Sequence, residues 1–241
     1  MPFFTNFLLN TIFPKQCLSC HQEGQYVCPK CLDKIPTNKT NCFVCKKRSP
    51  DGSICIKCKK SNKLKLDRIL VASDWNNLLV RQMIYEFKYR FIKDLSFPIA
   101  QIIIKYIQIN NLITDDINRY IIIPVPLHKF RLSWRGYNQA QLIGQVVSDK
   151  FNINIENNLI LRAINTGSQM EINDNEKRAQ NVCNAFKINS EFTKSKFDVI
   201  KNKIIILVDD VCTTGSTLNE CAKTLQLLKP FGIWGLVMAK G

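Results

Sequence analysis

Eight cysteines at one repeated spacing are the first residues of this chain that could do chemistry. They form four C-x-x-C pairs between residues 17 and 58, and each pair can turn two thiolates toward one ion. A structural zinc ion takes four ligands in a tetrahedron, so two pairs complete one site and four pairs complete two. We therefore predict two structural zinc ions. The predicted ligands are Cys17, Cys20, Cys28, Cys31, Cys42, Cys45, Cys55 and Cys58.

The way in which the four pairs combine is open at this stage. Sequential pairing, the first pair with the second and the third with the fourth, needs only short loops, and we favour it over an interleaved cross-brace. With four thiolates around each ion, no coordination position stays open for catalysis. A single C-x-x-C pair could be a redox couple, but four pairs in series indicate metal binding. The segment has few apolar side chains, so we expect it to unfold without its metal.

A second candidate site lies near the carboxyl end of the chain. Residues 204–217 read IIILVDDVCTTGST, which predicts an apolar strand, two carboxylates, a short hydroxyl-rich loop and the start of a helix. Helix amino termini present unpaired N–H groups that bind phosphate, and carboxylates accept hydrogen bonds from vicinal hydroxyls or from hydrated Mg²⁺. A phosphate and two hydroxyls at a fixed distance describe ribose 5-phosphate. The predicted binding residues are Asp209, Asp210, Thr213, Thr214, Gly215, Ser216 and Thr217.

This segment is similar to the fingerprint of type I phosphoribosyltransferases, an apolar strand followed by D-D-x-x-x-T-G-x-T. The resemblance implies that the ligand is Mg–phosphoribosyl pyrophosphate (PRPP), with the carboxylates on the ribose hydroxyls and the loop on the 5-phosphate. In that family a loop after an earlier strand holds the pyrophosphate, and Leu127, His128 and Lys129 occupy the matching place. The lysine of a nucleoside-triphosphate P-loop and the three glycines of a dinucleotide fingerprint are absent from the segment.

The stretch RLSWRGYNQ, residues 131–139, adds two arginines beside a glycine, which could close over a polyphosphate. It resembles the R-G-[FY]-N-Q signature of the ComF competence family, although Ser133 and Trp134 stand where members often carry basic residues. The eight cysteines and several shorter motifs extend the resemblance over nearly the whole chain. These motifs are residues 85–89 (YEFKY), Gln169, residues 178–182 (RAQNV) and residues 185–186 (AF).

The ComF resemblance implies a role in natural transformation, in which the protein handles single-stranded DNA in the cytoplasm. A DNA-uptake helicase or channel is then a candidate partner. The net charge of +15, from 34 Lys and Arg against 19 Asp and Glu, favours a polyanionic partner, although an AT-rich coding sequence would also enrich lysine. Lys129, Arg131 and Arg135, interleaved with Phe130, Trp134 and Tyr137, are compatible with strand binding, and ordinary packing of the aromatic rings is the alternative.

Whether the protein turns over a substrate is open. The candidate catalytic residues are Asp209, Asp210 and Arg135, which would hold ribose and neutralise the leaving pyrophosphate. Thr213 stands where the 6-oxopurine salvage enzymes carry an acidic residue, and no general base is evident. Three hypotheses therefore remain: a DNA-uptake factor, a phosphoribosyltransferase with an unidentified base or amine acceptor, and a PRPP sensor in which closure of the 131–139 loop changes DNA affinity.

The amino-acid composition changes near residue 65, which divides the chain into two parts that must position these residues. We predict a zinc-binding module over 1–65 and a phosphoribosyltransferase-like domain over 66–241. In the second part apolar runs alternate with helical patterns, which indicates a doubly wound, mainly parallel α/β sheet. The predicted strands are 66–73, 120–125, 203–208 and 233–239, and the predicted helices are 77–89, 95–112, 139–151 and 218–228.

The remaining sequence features concern location and repeats. Residues 3–13 fit a short amphipathic helix, and no run reaches the roughly 18 apolar residues that a membrane span needs. No secretory signal is evident, so we expect a cytoplasmic protein with no membrane span. No internal repeat is evident beyond the cysteine pairs.

Overall fold

The computed structural model describes residues 14–164, 183–192, 197 and 199–241. The predicted amphipathic segment 3–13 and the motif residues Gln169 and 178–182 lie outside these ranges. Among the described residues, no helix has the length and apolar character that crossing a bilayer requires.

Four parallel strands form the central sheet, in the order β1-β6-β5-β2. Every neighbouring pair in this sheet is parallel, and helices cover both faces, so the predicted doubly wound α/β fold is confirmed. A separate antiparallel pair, β3 and β4, lies outside the sheet. The strands are β1 (Arg68–Asp74), β2 (Tyr120–Pro124), β3 (Ile160–Arg162), β4 (Phe186–Ile188), β5 (Ile204–Cys212) and β6 (Gly232–Lys240).

Two short helices of the cysteine-rich segment precede β1, and the other helices of the described residues fall between the strands, as parallel connections require. In chain order the helices are α1 (Pro29–Asp33), α2 (Ile56–Ser61), α3 (Leu78–Tyr89), α4 (Ser96–Ile109), α5 (Lys129–Arg135), α6 (Gln139–Phe151) and α7 (Ser216–Leu225). Short 3₁₀ turns precede α4, precede β2 and follow α7, at Lys93–Leu95, Ile117–Arg119 and Gln226–Leu228.

Two hydrophobic clusters lie on opposite faces of the sheet. On β5, Ile204 and Ile206 join the cluster that contains α3, α4 and α6, whereas Ile205 and Leu207 join the cluster that contains α7. Successive side chains of a strand point to opposite faces, so a strand that is buried on both sides reads as a continuous apolar run. This is why the sheet strands could be located from the sequence.

Two elements differ from the prediction. Strand β5 continues to Cys212 instead of ending at residue 208, so Asp209 and Asp210 lie within the strand, and Asp209 pairs with Val237 of β6. Residues 129–135, which we expected in a loop, form α5. His128 caps the start of this helix, and Gly136, at φ +74°, ends it in the left-handed conformation that glycine adopts without strain.

The outer edge of β1 is covered by the cysteine-rich segment. The Asn38 amide donates to the Ala72 carbonyl at 2.9 Å, and the Asn38 side chain donates to the Val71 carbonyl at 3.1 Å. Ser53 forms an antiparallel bridge with Arg68 at the start of the strand. An exposed edge strand is a template for unwanted pairing, and this contact removes it. The division of the chain at residue 65 stays a prediction.

Candidate metal centres and ligand site

The eight cysteines form two groups of four, and the grouping is sequential as predicted. Within each group the sulfur atoms all lie within 4.8 Å of one another. The Sγ atoms of Cys20 and Cys28 are 3.6 Å apart, and those of Cys45 and Cys55 are 3.9 Å apart. Zinc–sulfur bonds of about 2.3 Å in a tetrahedron require sulfur separations of about 3.8 Å. The two groups therefore fit two structural zinc ions.

The two groups share one backbone design, and we call them the first ribbon (residues 17–31) and the second ribbon (residues 42–58). The amide of the first cysteine donates to the carbonyl five residues later, at 2.9 Å for Cys17 and 2.8 Å for Cys42. The residue four positions after that cysteine is left-handed in both ribbons, His21 at φ +62° and Lys46 at φ +63°. The ribbons are thus an internal repeat, whereas the sequence indicated only repeated cysteine pairs.

The first cysteine of each ribbon has a lowered pKa. Burial raises the pKa of Cys17, but the backbone amides of Cys20 and Cys28 outweigh it and lower the pKa to about 6. Cys42 occupies the same environment in the second ribbon, and its pKa is likewise lowered to about 6 against the effect of burial. The thiolate is the form that binds zinc, so the backbone amides around Cys17 and Cys42 favour metal binding by these two cysteines.

The loop that joins β5 to α7, residues 213–217, is called here the hydroxyl loop. Gly215 caps α7 at φ +81°, and the hydroxyls of Thr214 and Ser216 are 2.6 Å apart. A Cβ atom at Gly215 would lie 3.1 Å from Ile69 Cδ1 and 3.4 Å from Phe43 Cε1. A side chain at Gly215 would therefore meet Ile69 and the Phe43 ring, so the phenyl ring of the second ribbon lies beside the hydroxyl loop.

Asp209 and Asp210, called here the acid pair, lie next to this loop. The Asp210 carboxylate is 5% exposed and accepts from Lys88 Nζ at 2.9 Å and from the Val211 amide at 2.7 Å. Burial and the charge of Asp210 raise the pKa of Asp209 to about 7, although Lys88 opposes the rise. The pKa of Lys88 is raised, because the two carboxylates outweigh the effect of its burial.

The segment after β2 runs beside the acid pair. The Val125 amide donates to the Val208 carbonyl at 2.9 Å, which brings residues 127–129 next to the end of β5. His128 Nδ1 accepts from the Phe130 amide at 3.3 Å and so begins α5. At the other end of α5, burial lowers the pKa of Arg135 while the charge of Asp210 opposes that effect. Arg135 Nε is buried with no hydrogen-bond partner among the described residues.

A further arginine, on β3, lies near the carboxyl ends of β2 and β5. Arg162 forms a parallel bridge with His128. Burial and the charge of Arg131 lower the pKa of Arg162, and the charge of Asp209 opposes the change. Lys88, Arg135 and Arg162 therefore lie around the acid pair.

The aromatic residues around α5 divide into two kinds. Tyr137 is buried, its hydroxyl donates to the Phe87 carbonyl, and its ring is 5.4 Å from the Phe87 ring, so ordinary packing explains it. Phe130 and Trp134 are 67% and 60% exposed. Trp134 meets Phe91 edge-on, with the ring centroids 5.0 Å apart. Core packing therefore explains Tyr137 but neither of the two exposed rings.

The structure places residues 127–129, Arg135, the acid pair and the hydroxyl loop near the carboxyl ends of β2 and β5, and their binding roles stay predictions. Three residues near these strand ends were not assigned a role in advance. Lys88 lies in the motif 85–89, which carried only a family resemblance. Phe43 lies between two metal ligands, so its contact with Gly215 had no sequence signal. Arg162 lies in a three-residue strand, too short for its pattern to be recognised.

Comparison with known proteins agrees with this architecture. A family model described as a double zinc ribbon domain matches residues 8–61. Competence protein F of Haemophilus influenzae is 42% identical over 120 residues, which is 49% of this chain and 50% of that protein. The DNA utilization protein YhgH of Escherichia coli O157:H7 is 33% identical over 104 residues, 43% of this chain and 42% of that protein. The chain spans about half the length of the curated relatives it matches.

Two four-cysteine ribbons on the edge strand of a doubly wound parallel sheet define a zinc-ribbon protein that fits the phosphoribosyltransferase-like fold. Within that class, the matches to competence protein F and YhgH support the resemblance to the ComF family that the sequence motifs indicated.

Proposed function

We propose that this chain binds Mg–PRPP at the carboxyl ends of β2 and β5 and handles single-stranded DNA during DNA uptake. The acid pair is the observation that carries the first part. Two adjacent carboxylates lie in a buried strand, where burial and then the charge of Asp210 raise the pKa of Asp209 to about 7. Such an arrangement costs stability unless a ligand uses it, and perturbed groups of this kind are concentrated at functional sites.

Each part of this edge has a chemical role in the proposal. The acid pair accepts hydrogen bonds from the two ribose hydroxyls, and Lys88 forms an ion pair with Asp210 beside them. The amides at the start of α7 and the hydroxyl loop hold the 5-phosphate, because the positive end of the helix dipole and its unpaired N–H groups favour an anion. Residues 127–129 and Arg135 face the pyrophosphate. Mg²⁺ supplies charge neutralisation to the pyrophosphate oxygens when it is bound.

The test is a calorimetric titration of Mg–PRPP into the zinc-loaded full chain. Asp209→Asn/Asp210→Asn is expected to weaken binding by about tenfold or more, because it removes the charge from the ribose-binding group. The matched control is Asp115→Asn/Asp116→Asn, which changes an exposed pair of adjacent aspartates elsewhere and should bind as the unmodified chain does. Absence of binding to folded, zinc-loaded protein would refute this part of the proposal.

The DNA-handling part is supported by the exposed rings and by the relatives. Phe130 and Trp134 lie on α5 among Lys129, Arg131 and Arg135, and basic grooves with exposed rings suit single strands, because every base can stack. The names of the matched relatives, a competence protein and a DNA utilization protein, also support a role with DNA. A helicase or channel partner stays a prediction.

Fluorescence anisotropy with a labelled oligothymidine tests this part. We expect affinity to fall steeply between 50 and 200 mM salt, by roughly a hundredfold for several phosphate contacts. Phe130→Ala/Trp134→Ala should weaken binding by about tenfold, since one stacked base contributes roughly 1–3 kcal/mol. The control Phe97→Ala/Phe231→Ala removes two equally exposed rings elsewhere and should have little effect. Salt-independent binding, or an equal loss in both variants, would contradict strand handling at α5.

One observation favours the second candidate function, phosphoribosyl transfer to an unidentified base or amine. The buried Arg135 Nε, with no hydrogen-bond partner among the described residues, is available to a leaving pyrophosphate. We expect pyrophosphate release when the correct acceptor is added to PRPP-bound protein, and loss of release in Arg135→Gln. A screen of nucleobases and amines that releases no pyrophosphate from protein with bound PRPP would favour the sensor hypothesis over the enzyme.

A further inference from the structure

A separate pocket lies between the second ribbon and the carboxyl ends of β1 and β6. Its cavity volume is about 230 Å³, and Phe43, Lys46, Trp75 and Lys240 are among the residues that line it. Lys240 is the last residue of β6 and pairs in register with Cys212 at the end of β5. The pocket therefore opens at the same edge of the sheet as the hydroxyl loop, and the Phe43 ring contacts both.

Two ammonium groups of this pocket lie against one aromatic ring. Lys240 Nζ is 4.0 Å and Lys46 Nζ is 5.6 Å from the Phe43 ring centroid. In the part of the chain that the structure describes, no carboxylate lies within 4.0 Å of either ammonium group. Burial, followed by the charge of Lys46, lowers the pKa of Lys240, so the two cations repel each other. An anion between them would relieve that repulsion.

The charge of the lining indicates which anion fits. Lys39, Lys46 and Lys240 face the cavity together with one carboxylate, Asp74, which gives a net charge of +2. Asp74 already accepts a hydrogen bond from the Asn76 amide at 2.9 Å. A carboxylate ligand would neutralise only one lysine, whereas a phosphomonoester carries a charge of about −1.5 to −2 at neutral pH.

We propose that this pocket binds a phosphomonoester, with the phosphate between Lys46 and Lys240. The side-chain amides of Asn38 and Asn41 also line the cavity, and Trp75 forms an aromatic wall beside it, so a nucleoside attached to the phosphate would find polar and apolar contacts. This phosphomonoester has two sources, a free nucleoside 5′-monophosphate and the 5′-phosphorylated end of a DNA strand. The site is separate from the proposed PRPP site, because it uses neither the acid pair nor the hydroxyl loop.

The experiment is a calorimetric titration of thymidine 5′-monophosphate into the zinc-loaded full chain, with thymidine as the unphosphorylated probe. Lys46→Asn/Lys240→Gln is expected to weaken binding by about tenfold or more, because it removes both charge-assisted contacts. Asparagine is chosen at position 46 because it tolerates the left-handed backbone there. The matched control is Lys229→Asn, a lysine that is also left-handed, at φ +53°, but lies before β6 at the opposite edge of the sheet.

Two further variants make the outcome specific. Thr214→Val/Ser216→Ala damages the hydroxyl loop and should leave nucleotide binding to the pocket unchanged. Lys240→Gln alone, which changes no residue of the second ribbon, should still weaken binding severalfold with two zinc ions retained per chain. Equal affinity for thymidine and its monophosphate, unchanged binding in the lysine variants, or loss only in the hydroxyl-loop variant would each overturn the proposal.

Oligothymidines with a 5′-phosphate and with a 5′-hydroxyl distinguish the two sources. If the source is a strand end, the phosphorylated strand binds more tightly to the unmodified chain, and Lys46→Asn/Lys240→Gln removes that difference. If both strands bind equally while thymidine 5′-monophosphate binds in a lysine-dependent way, the ligand is a free nucleotide. The acid pair takes part in neither comparison. Asp209→Asn/Asp210→Asn should therefore weaken Mg–PRPP binding and leave the binding of thymidine 5′-monophosphate unchanged, so the two proposals are tested separately.

Discussion

The two ribbons are built alike but lie in different surroundings. Each holds four cysteines around one metal position and uses the same left-handed turn after its first C-x-x-C pair. Leu18 follows the first cysteine of the first ribbon and packs, partly exposed, against the cluster formed by α3, α4 and α6. Phe43 holds the equivalent position in the second ribbon, is 4% exposed and contacts Gly215 of the hydroxyl loop. One metal-binding unit therefore supports the core in one copy and forms a wall of the candidate site in the other.

The difference follows from the faces of the sheet on which the ribbons pack. Cys17 and Cys28 belong to the cluster on one face, and Cys42 belongs to the opposite cluster, where α7 and the hydroxyl loop also lie. Helix α3 packs on the first face, and its Lys88 forms an ion pair with Asp210 of the acid pair. The candidate site thus receives a cation from the side of the first ribbon and an aromatic wall from the second.

Removal of both metals should have the largest effect, and it tests whether the ribbons are equal as metal centres. A strong chelator is expected to release two zinc ions per chain and to abolish the cooperative thermal transition. Structural zinc contributes about 10–16 kcal/mol of apparent binding free energy in zinc-finger peptides, which exceeds what a few buried residues could replace. Zinc release is followed with a colorimetric indicator, and circular dichroism follows the fold. A fold that persists after release of both ions would contradict a structural role for either ribbon.

Loss of one metal at a time should separate the two ribbons. Cys20→Ser and Cys45→Ser change equivalent, exposed ligands, so each should reduce the zinc content from two ions per chain to one. Only Cys45→Ser is expected to weaken Mg–PRPP binding by about tenfold or more, because disorder in the second ribbon releases Phe43 from Gly215. Calorimetry on both variants, with zinc content measured on the same samples, checks this. Equal losses of affinity would mean that both ribbons act only through overall stability.

The sequence predicted more of the sheet and of the metal centres than of the site around the acid pair. The strands of the sheet and the zinc ligands follow local patterns, such as the apolar run 204–208 and the C-x-x-C spacing. The contacts of Phe43 and Lys88 with the site join residues more than 100 positions apart, so no local pattern carries them. Helix α5 depends on a cap by His128 and a left-handed Gly136, and both are also compatible with a loop.

Loss of the Lys88 ammonium group should have the next largest effect on stability. It tests how much the ion pair with Asp210 contributes, on the face of the sheet where the first ribbon packs. The folded-state pKa of Asp209, about 7, is above the unfolded value of about 3.9. Asp209 therefore stabilises the fold below about pH 4 and loses that contribution as the pH rises through 7. Lys88→Met leaves the Asp210 carboxylate unpaired, so we expect a loss of roughly 3 kcal/mol at pH 8 and a smaller loss at pH 5, where Asp209 is protonated.

Urea unfolding of Lys88→Met at the two pH values measures this difference. The matched control is Arg81→Met, which removes an exposed cation from the same helix and should change stability by less than about 0.5 kcal/mol at either pH. A pH-independent loss in Lys88→Met would mean that its contacts are only packing contacts. The same variant should keep both zinc ions, because Lys88 is not part of either ribbon.

The smallest expected effect comes from exchanging the residue that distinguishes the ribbons. Phe43→Leu gives the second ribbon the side chain that the first ribbon carries as Leu18, so it keeps an apolar contact but removes the ring edge beside Gly215. We expect a loss below about 1.5 kcal/mol in stability and a severalfold loss in Mg–PRPP affinity. Leu18→Ala, which truncates the equivalent position, should reduce stability without a comparable change in affinity. If Leu18→Ala weakened the ligand as much as Phe43→Leu did, the ribbons would be equivalent, and the contact with Gly215 would have no special role in binding.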